Sequence, residues 1–194
     1  MPGVYGGDEI NAIVLDPGAS MYRGGWAGED QPRAILPSHY GWRPMTAEER
    51  AEADKAASSA APAAEPSQDG DVSMAEAGED GPPPAPKKAL PRGVSYDRGQ
   101  GRTRFIGDAG VSFWRSGLEI DTPFDANGIV QDYDTFEELS RHALQVLSAD
   151  PAENPLLLTE PSTNPKAVRA KMAEVAFEGL GVPAFYLANR TLLS

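Results

Sequence analysis

The sequence predicts an α/β protein built on a mixed sheet, and three observations carry that expectation. The chain opens with short apolar runs separated by tight turns, as a small antiparallel meander does. After Tyr133 the pattern becomes helix, strand, helix, strand, which points to a sheet containing parallel pairs. Between these two regions lies an acidic, proline- and alanine-rich stretch whose composition belongs to neither.

In the first region, Ala12-Ile13-Val14-Leu15 has the continuous apolar character of a buried strand. Asp16-Pro17-Gly18-Ala19-Ser20 reads as a turn. Met21 to Gly28 and Arg33 to Leu36 are two further strand candidates, joined through Gly28-Glu29-Asp30.

From Ala47 to Ser95 there is no aromatic residue, and large aliphatic ones such as Val72, Met74 and Leu90 are few. A segment of this kind buries too little apolar surface to offset the entropy of ordering its backbone. It is therefore expected to be a disordered insertion, 47–95, polyproline-like at Pro82-Pro83-Pro84.

Past it, Arg104-Phe105-Ile106 is a short strand candidate. Asp134, with Glu137 three residues on, is expected to cap a helix whose apolar face carries Phe136, Leu139, Ala143, Val146 and Leu147. Leu156-Leu157-Leu158-Thr159 has the look of a buried strand. Asn164-Pro165 is a cap and first turn for a helix carrying Val168, Met172, Val175 and Gly179, stopped by Gly181-Val182-Pro183. Ala184 to Ala188 is the last apolar strand, and Asn189 begins a helical turn of which only Arg190 to Ser194 are present. A single turn is not stable alone, so the chain is expected to be an incomplete version of its fold.

The formal charge of −12 argues against a basic-patch nucleic-acid-binding domain. Ten acidic and two basic residues between Glu48 and Asp80 account for −8 of it, so the remainder is nearly balanced. That acidic run reads either as a solvated linker or as a surface that attracts basic proteins such as histones. With no cysteine, disulfide frameworks and thiolate metal sites are excluded. Met1 to Asn11 lacks the pattern of a secretory signal, and no apolar run approaches the ~18–20 residues that span a bilayer. A soluble protein that contacts no membrane is the expectation. His39 and His142 stand apart from one another without ligand spacing, and His142, mid-helix, is expected at the surface. Trp26, Trp42 and Trp114 are expected to pack, with Trp42 and Trp114 also candidates for a partner surface because they flank the insertion. Lys87-Lys88 near Arg92 reads as a charged linker end or a short import signal.

The most chemically suggestive feature is the strand that ends in Asp16 and runs into a small-residue turn. Successive backbone amides at Gly18, Ala19 and Ser20 can converge on phosphate oxygens, Asp16 can hold a hydrated Mg²⁺, and Arg23 can supply positive charge. A plain hairpin turn fits the Asp-Pro-Gly tripeptide equally well.

Five segments in order resolve that choice. Val14 to Met21 followed by Gly24-Gly25-Trp26-Ala27-Gly28-Glu29-Asp30 to Ser38, then Ile106-Gly107-Asp108-Ala109, resemble the opening of actin and its relatives. Asn127-Gly128-Ile129-Val130 with Asp132-Tyr133-Asp134, then Pro155 to Pro161 with Asn164-Pro165-Lys166, and finally Lys171-Met172 with Pro183 to Leu187, continue the resemblance in register. It implies an actin-like, ribonuclease-H-type α/β fold in which 1–37 and 123–194 supply part of a first subdomain. Residues 38–122 would then supply the second subdomain, with the insertion inside it.

The resemblance further implies an ATP site with Mg²⁺, to which Asp16, Gly18, Ala19, Ser20, Met21 and Arg23 contribute one wall. The second phosphate loop and the adenine pocket would lie beyond Ser194. Ala19 stands where actin has a phosphate-contacting serine and Arg23 where it has a lysine. Arg190 stands where actin has the glutamine that orients the hydrolytic water, which implies altered, slow or absent hydrolysis. The insertion, with Tyr22 to Trp26, is most similar to the nuclear branch of actin-related proteins found in chromatin-remodelling and histone-acetyltransferase complexes. This likeness implies a non-filamentous nuclear subunit pairing with monomeric actin on a helix of a remodelling ATPase or scaffold. Contact with histones or nucleosomes is implied as well, without sequence-specific nucleic-acid binding. A cytoskeletal, ATP-hydrolysing actin relative and a truncated, non-functional fragment are the other readings open to the sequence.

Overall fold

The computed structural model describes residues 12–58, 90–107 and 110–192. Pro82 to Pro84, Lys87-Lys88, Asp108-Ala109 and the first eleven residues lie outside the described residues, as does most of the acidic run.

Two sheets share the described chain. The first has five strands. Strands β1 (Ile13–Pro17), β2 (Met21–Trp26) and β3 (Ala34–Pro37) form the antiparallel meander. β8 (Leu156–Glu160) adds to β1 in parallel, and β9 (Phe185–Asn189) adds to β8 in parallel. The second sheet is antiparallel throughout, with β4 (Tyr40–Pro44), β5 (Val94–Asp97), β6 (Arg102–Phe105) and β7 (Glu119–Asp121) in the order β5-β6-β4-β7. The parallel addition of β8 and β9 to an antiparallel meander makes this a mixed α/β fold, as the sequence predicts.

One face of the five-stranded sheet carries the core. Ile13 and Leu15 of β1, Tyr22 of β2 and Leu156 and Leu158 of β8 are buried together with Phe136, Leu139, Ala143 and Leu144 of helix α2 (Tyr133–Leu147). Alternation along β1, with Ile13 and Leu15 inward and Val14 and Asp16 outward, follows from the period-two geometry of a strand. Tyr22 keeps a hydroxyl in this apolar layer by donating to Ser140 Oγ at 2.7 Å, and the Ser140 hydroxyl in turn donates to the Phe136 carbonyl at 2.8 Å. Burial pushes the Tyr22 phenol far above its ordinary pKa, so it stays a neutral donor.

Helix α2 is capped two residues earlier than expected. Asp132, not Asp134, is the cap, accepting from the Thr135 amide at 3.1 Å. The chain ahead of it bends at an Asp125 turn closed by the Asn127 and Ile129 amides, and that turn places Asp132 rather than Asp134 at the first exposed helix amides. Helix α3 (Lys166–Glu174) begins after Pro165, and Asn164 does not cap it. The Asn164 amide instead donates to Glu160 at 2.9 Å, tying the end of β8 to the helix. The helix widens into a π-type stretch, Val175–Leu180, and Gly181 ends it with φ +76°.

The segment expected to lack structure, 47–95, is corrected at both ends. Ala47–Ser58 is helix α1, and Val94 already belongs to β5. Thr46 and Glu49 form a reciprocal capping box: Glu49 N donates to Thr46 Oγ1 at 3.2 Å and Thr46 N to Glu49 Oε2 at 2.8 Å. Arg43 of β4 grips the Glu49 carboxylate with both terminal nitrogens, at 2.6 and 3.1 Å, and the Thr103 hydroxyl donates to it at 3.1 Å. Burial works against the Glu49 charge, but the Thr46 amide and Arg43 hold its pKa below the ordinary carboxylate range. A helix with a single buried alanine, Ala53, among its described side chains is thus anchored by polar contacts rather than by an apolar stripe.

Among the described residues no helix is long and apolar enough to cross a membrane. His142 is buried, contrary to its expected surface position, because its face of α2 meets the turns at Gly93 and Gly107. Trp26 and Trp42 pack against the core as expected, and the Arg102 guanidinium lies over the Trp42 ring at 4.5 Å. Trp114 does not pack: it is 90% exposed, beside the exposed Phe113.

Candidate functional site

In a sheet with parallel strands, ligands sit outside the carboxyl ends of those strands. β1, β8 and β9 run parallel, and their carboxyl ends deliver Asp16, Thr159 and, one residue past β9, Arg190 to one place. The side chains converge on Asp16. Thr159 Oγ1 donates to Asp16 Oδ1 at 2.5 Å, and Arg190 Nε donates to the same oxygen at 3.1 Å. Arg190 Nη2 donates to the Pro17 carbonyl at 3.0 Å, and Arg23 Nη1 lies 3.7 Å from Asp16 Oδ2.

Each contact follows from local structure. Asp16 and Arg23 are register partners across β1 and β2, so their side chains share the face away from α2. Leu15 pairs with Leu158, which sets Thr159 beside Asp16. Arg190 opens a short 3₁₀ turn, Arg190–Leu192. Asn189 Oδ1 fixes the turn by accepting from the Thr191 amide at 3.0 Å and from the Ser162 hydroxyl at 3.1 Å.

The turn after Asp16 is tighter than the sequence suggests. The Gly18 amide donates inward, to the Asp16 carbonyl at 3.0 Å and the Met21 carbonyl at 3.1 Å, so it is not presented to a ligand. A side chain at Gly18 would place its Cβ 2.6 Å from the Met21 carbonyl oxygen, so glycine is required here by close approach. Ser38, one residue past β3, braces the turn, donating its hydroxyl to the Gly18 carbonyl at 2.6 Å and its amide to the Ser20 carbonyl at 3.0 Å. Ala19 and Ser20 are left exposed at the tip, the residues whose amides remain to meet an anion. Met21 sits in β2 with its carbonyl committed to the turn.

The structure therefore brings Asp16, Ala19, Ser20, Arg23 and Arg190 together and turns Gly18 inward. It adds Thr159 and Ser38, which sequence reasoning did not place at the site. The only signal for Thr159 was its position as the first polar residue after an apolar strand run.

Asp16, Arg23 and Arg190 sum to one positive charge, which suits an anion. A hydrated Mg²⁺ does not fit Asp16 as it stands. Oδ1 already accepts two hydrogen bonds, and the charged groups beside the carboxylate are the guanidinium cations of Arg190 and Arg23. Among the described residues no group of three or more histidines or carboxylates is placed to hold a metal ion.

Residues 7–194 match the family model described as Actin. The chain belongs to the actin family. It is 42% identical, along its whole length, to Actin-related protein 4 of Mycosarcoma maydis, covering 42% of that protein. Over 98% of its length it is 34% identical to Actin-related protein 4 of Oryza sativa subsp. indica, covering 38% of it. Over 95% of its length it is 29% identical to a Schizosaccharomyces pombe protein named SWI/SNF and RSC complexes subunit arp42, covering 31% of it. The chain thus spans well under half the length of the curated relatives it matches.

Proposed function

We propose that this chain is the nucleotide-site portion of a non-filamentous, actin-related subunit of nuclear chromatin complexes, which binds ATP and hydrolyses it slowly or not at all. The observation that carries the nucleotide reading is the convergence of Arg190, Arg23 and the exposed Ala19-Ser20 tip at the carboxyl ends of β1 and β9. These groups provide cations and donors for phosphate oxygens. The hydrolysis reading rests on Arg190 in the place where the family resemblance puts a water-orienting glutamine. A guanidinium offers donors only and cannot accept a proton from attacking water.

Support for the chromatin reading comes from the relatives, several named Actin-related protein 4 and one named as a subunit of SWI/SNF and RSC complexes. Remodelling and histone-acetyltransferase assemblies in the nucleus are the proposed setting. Monomeric actin and a helix of the remodelling ATPase or scaffold are the proposed neighbours. The acidic run from Glu48 to Asp80 gives histones or nucleosomes a complementary charge. It also lies where actin carries a loop used for filament contacts, which supports the non-filamentous reading.

Phosphate release by the full-length protein tests the enzymatic half: turnover well below that of filamentous actin is expected, and an equal or higher rate refutes it. Affinity purification of the full-length protein tests the assembly half. Co-purification of remodelling or acetyltransferase subunits with monomeric actin is expected; motors or capping proteins in their place refute the chromatin setting.

A further inference from the structure

We propose that a guanidinium takes the place of the divalent cation at this site, so that the triphosphate binds with Arg190 and Arg23 as its counter-charges and without a requirement for Mg²⁺. The inference rests on the nucleotide reading above and goes beyond it, because it concerns which cation meets the phosphates.

The argument starts from the lone pairs of Asp16. A Mg²⁺ ion, which keeps several waters in strict octahedral geometry, binds proteins through one or two carboxylates whose oxygens are open to it or to its waters. Oδ1 of Asp16 is taken by the Thr159 hydroxyl at 2.5 Å and by Arg190 Nε at 3.1 Å. Oδ2 faces Arg23 Nη1 at 3.7 Å. A dication approaching this carboxylate meets two monocations already arranged around one anion, and the net charge of the trio is positive. The same arithmetic attracts a polyphosphate.

Arg190 is also not a loose surface arginine that swings aside at small cost. Its second prong, Nη2, is fixed on the Pro17 carbonyl at 3.0 Å, so one side chain bridges the carboxylate and the backbone of the phosphate-loop turn. A planar fork held at two points loses little further freedom on meeting a phosphate oxygen. The turn that carries it is pinned by Asn189 and Ser162. Arg190 and Arg23 are each about half exposed, with side-chain accessibilities of 41% and 49%, so both retain donors directed at solvent for an incoming anion.

The test measures ATP affinity of the full-length protein by calorimetry, once with excess Mg²⁺ and once with EDTA. In parallel, Mn²⁺ alone is titrated into the nucleotide-free protein and followed by electron paramagnetic resonance. The wild type is expected to hold ATP within about threefold under the two conditions. R190Q is expected to lose about tenfold or more in EDTA, the scale of one charge-assisted contact, and to recover when Mg²⁺ is restored. Nucleotide-free R190Q is expected to bind Mn²⁺ more tightly than the wild type, and the gain should vanish in R190Q/D16N. R190K, which keeps the charge without the two-point grip, guards against an R190Q that fails to fold. It is expected to remain closer to wild type than R190Q in EDTA, and a loss as large as that of the charge-free R23Q/R190Q pair overturns the inference. A wild type that loses about tenfold or more on chelation, or binds Mn²⁺ through Asp16 without nucleotide, overturns it too. A wild type that binds no ATP under either condition refutes the nucleotide reading itself, and the inference with it.

Discussion

Asp132 caps helix α2, and replacing it with alanine separates the terms that hold the start of the helix. Its Oδ1 accepts from the Thr135 amide at 3.1 Å and caps α2. Its Oδ2 accepts from the Thr135 hydroxyl at 2.6 Å and, more weakly, from Tyr40 of β4 at 3.4 Å. Loss of the cap costs about 1 kcal/mol. The Thr135 side chain is fully buried, so its hydroxyl, left without this acceptor, adds about 1–2 kcal/mol. The Tyr40 contact is too long to count for much. D132A should therefore lower unfolding stability by about 2–3 kcal/mol, and D132N, which keeps one acceptor, by about 1 kcal/mol.

Urea denaturation followed by circular dichroism reads these values. The double variant D132A/T135V should cost less than the sum of its singles, because the threonine hydroxyl no longer needs a partner. Asp132 also has a pH signature. Burial disfavours its charge, but the Thr135 hydroxyl and amide outweigh that and hold its pKa below the ordinary aspartate value. The stabilisation is therefore complete above the unfolded-state pKa, near pH 4, and is lost as pH falls through the folded value. Stability of the wild type should fall more steeply than that of D132N on acidification below about pH 4. A D132A variant within about 0.5 kcal/mol of wild type, or wild-type and D132N curves that stay parallel in acid, refutes the assignment of Asp132 as the cap that anchors α2.

Two further outcomes follow, one from packing against α2 and one from the tether of α1. G107A should destabilise by about 2–4 kcal/mol, since Gly107 has φ +63° and a Cβ there would lie 2.4 Å from His142 Nε2. Part of that loss should return in G107A/H142A, and its absence in a urea midpoint comparison would show that the backbone angle alone sets the cost. E49A removes both the capping box and the Arg43 grip, so hydrogen exchange along Ala47–Ser58 should speed up about tenfold or more while β1 and β8 keep their protection.

What the sequence made legible depended on whether an element advertises itself through apolar periodicity. β1 and β8 did so because strands inside a sheet carry nearly continuous apolar runs, and β9, at the edge of the described sheet, carries a similar run. α2 did so through its repeat of Phe136, Leu139, Ala143 and Leu147. β4 and β7 did not: Tyr40-Gly41-Trp42-Arg43-Pro44 and Glu119-Ile120-Asp121 have no alternation to read, and only non-local pairing with β6 and with each other makes them strands. α1 escaped for a related reason. Its sequence offers one buried alanine, and the signal that was present, Thr46 followed three residues later by Glu49, is a cap without a stripe. Poor apolar content was a sound argument against a core-forming helix there, but not against one tethered by a bidentate arginine.

The strand end and turn at Asp16 were legible in the sequence and the partners of Asp16 were not, and the two facts have one cause. A strand ending in aspartate before a small-residue turn locates a ligand site through local chain geometry, which short sequence windows encode. Which atoms of that site are free is decided by partners brought from far along the chain: Thr159 is 143 residues from Asp16 and Arg190 is 174. Only the parallel addition of β8 and β9 to β1 makes them neighbours. The glutamine-to-arginine difference implied by the family resemblance therefore has two consequences. Taken alone, it removes a proton acceptor from the hydrolytic position. Placed in this sheet, the same side chain also occupies Oδ1 of Asp16, the carboxylate to which the proposed reading assigns the cation. In the proposed nucleotide reading, one residue thus alters both the group that activates water and the group that meets the cation. On this reading the protein's nucleotide serves as a fixed part of the fold, held by arginines, in preference to a fuel that is turned over.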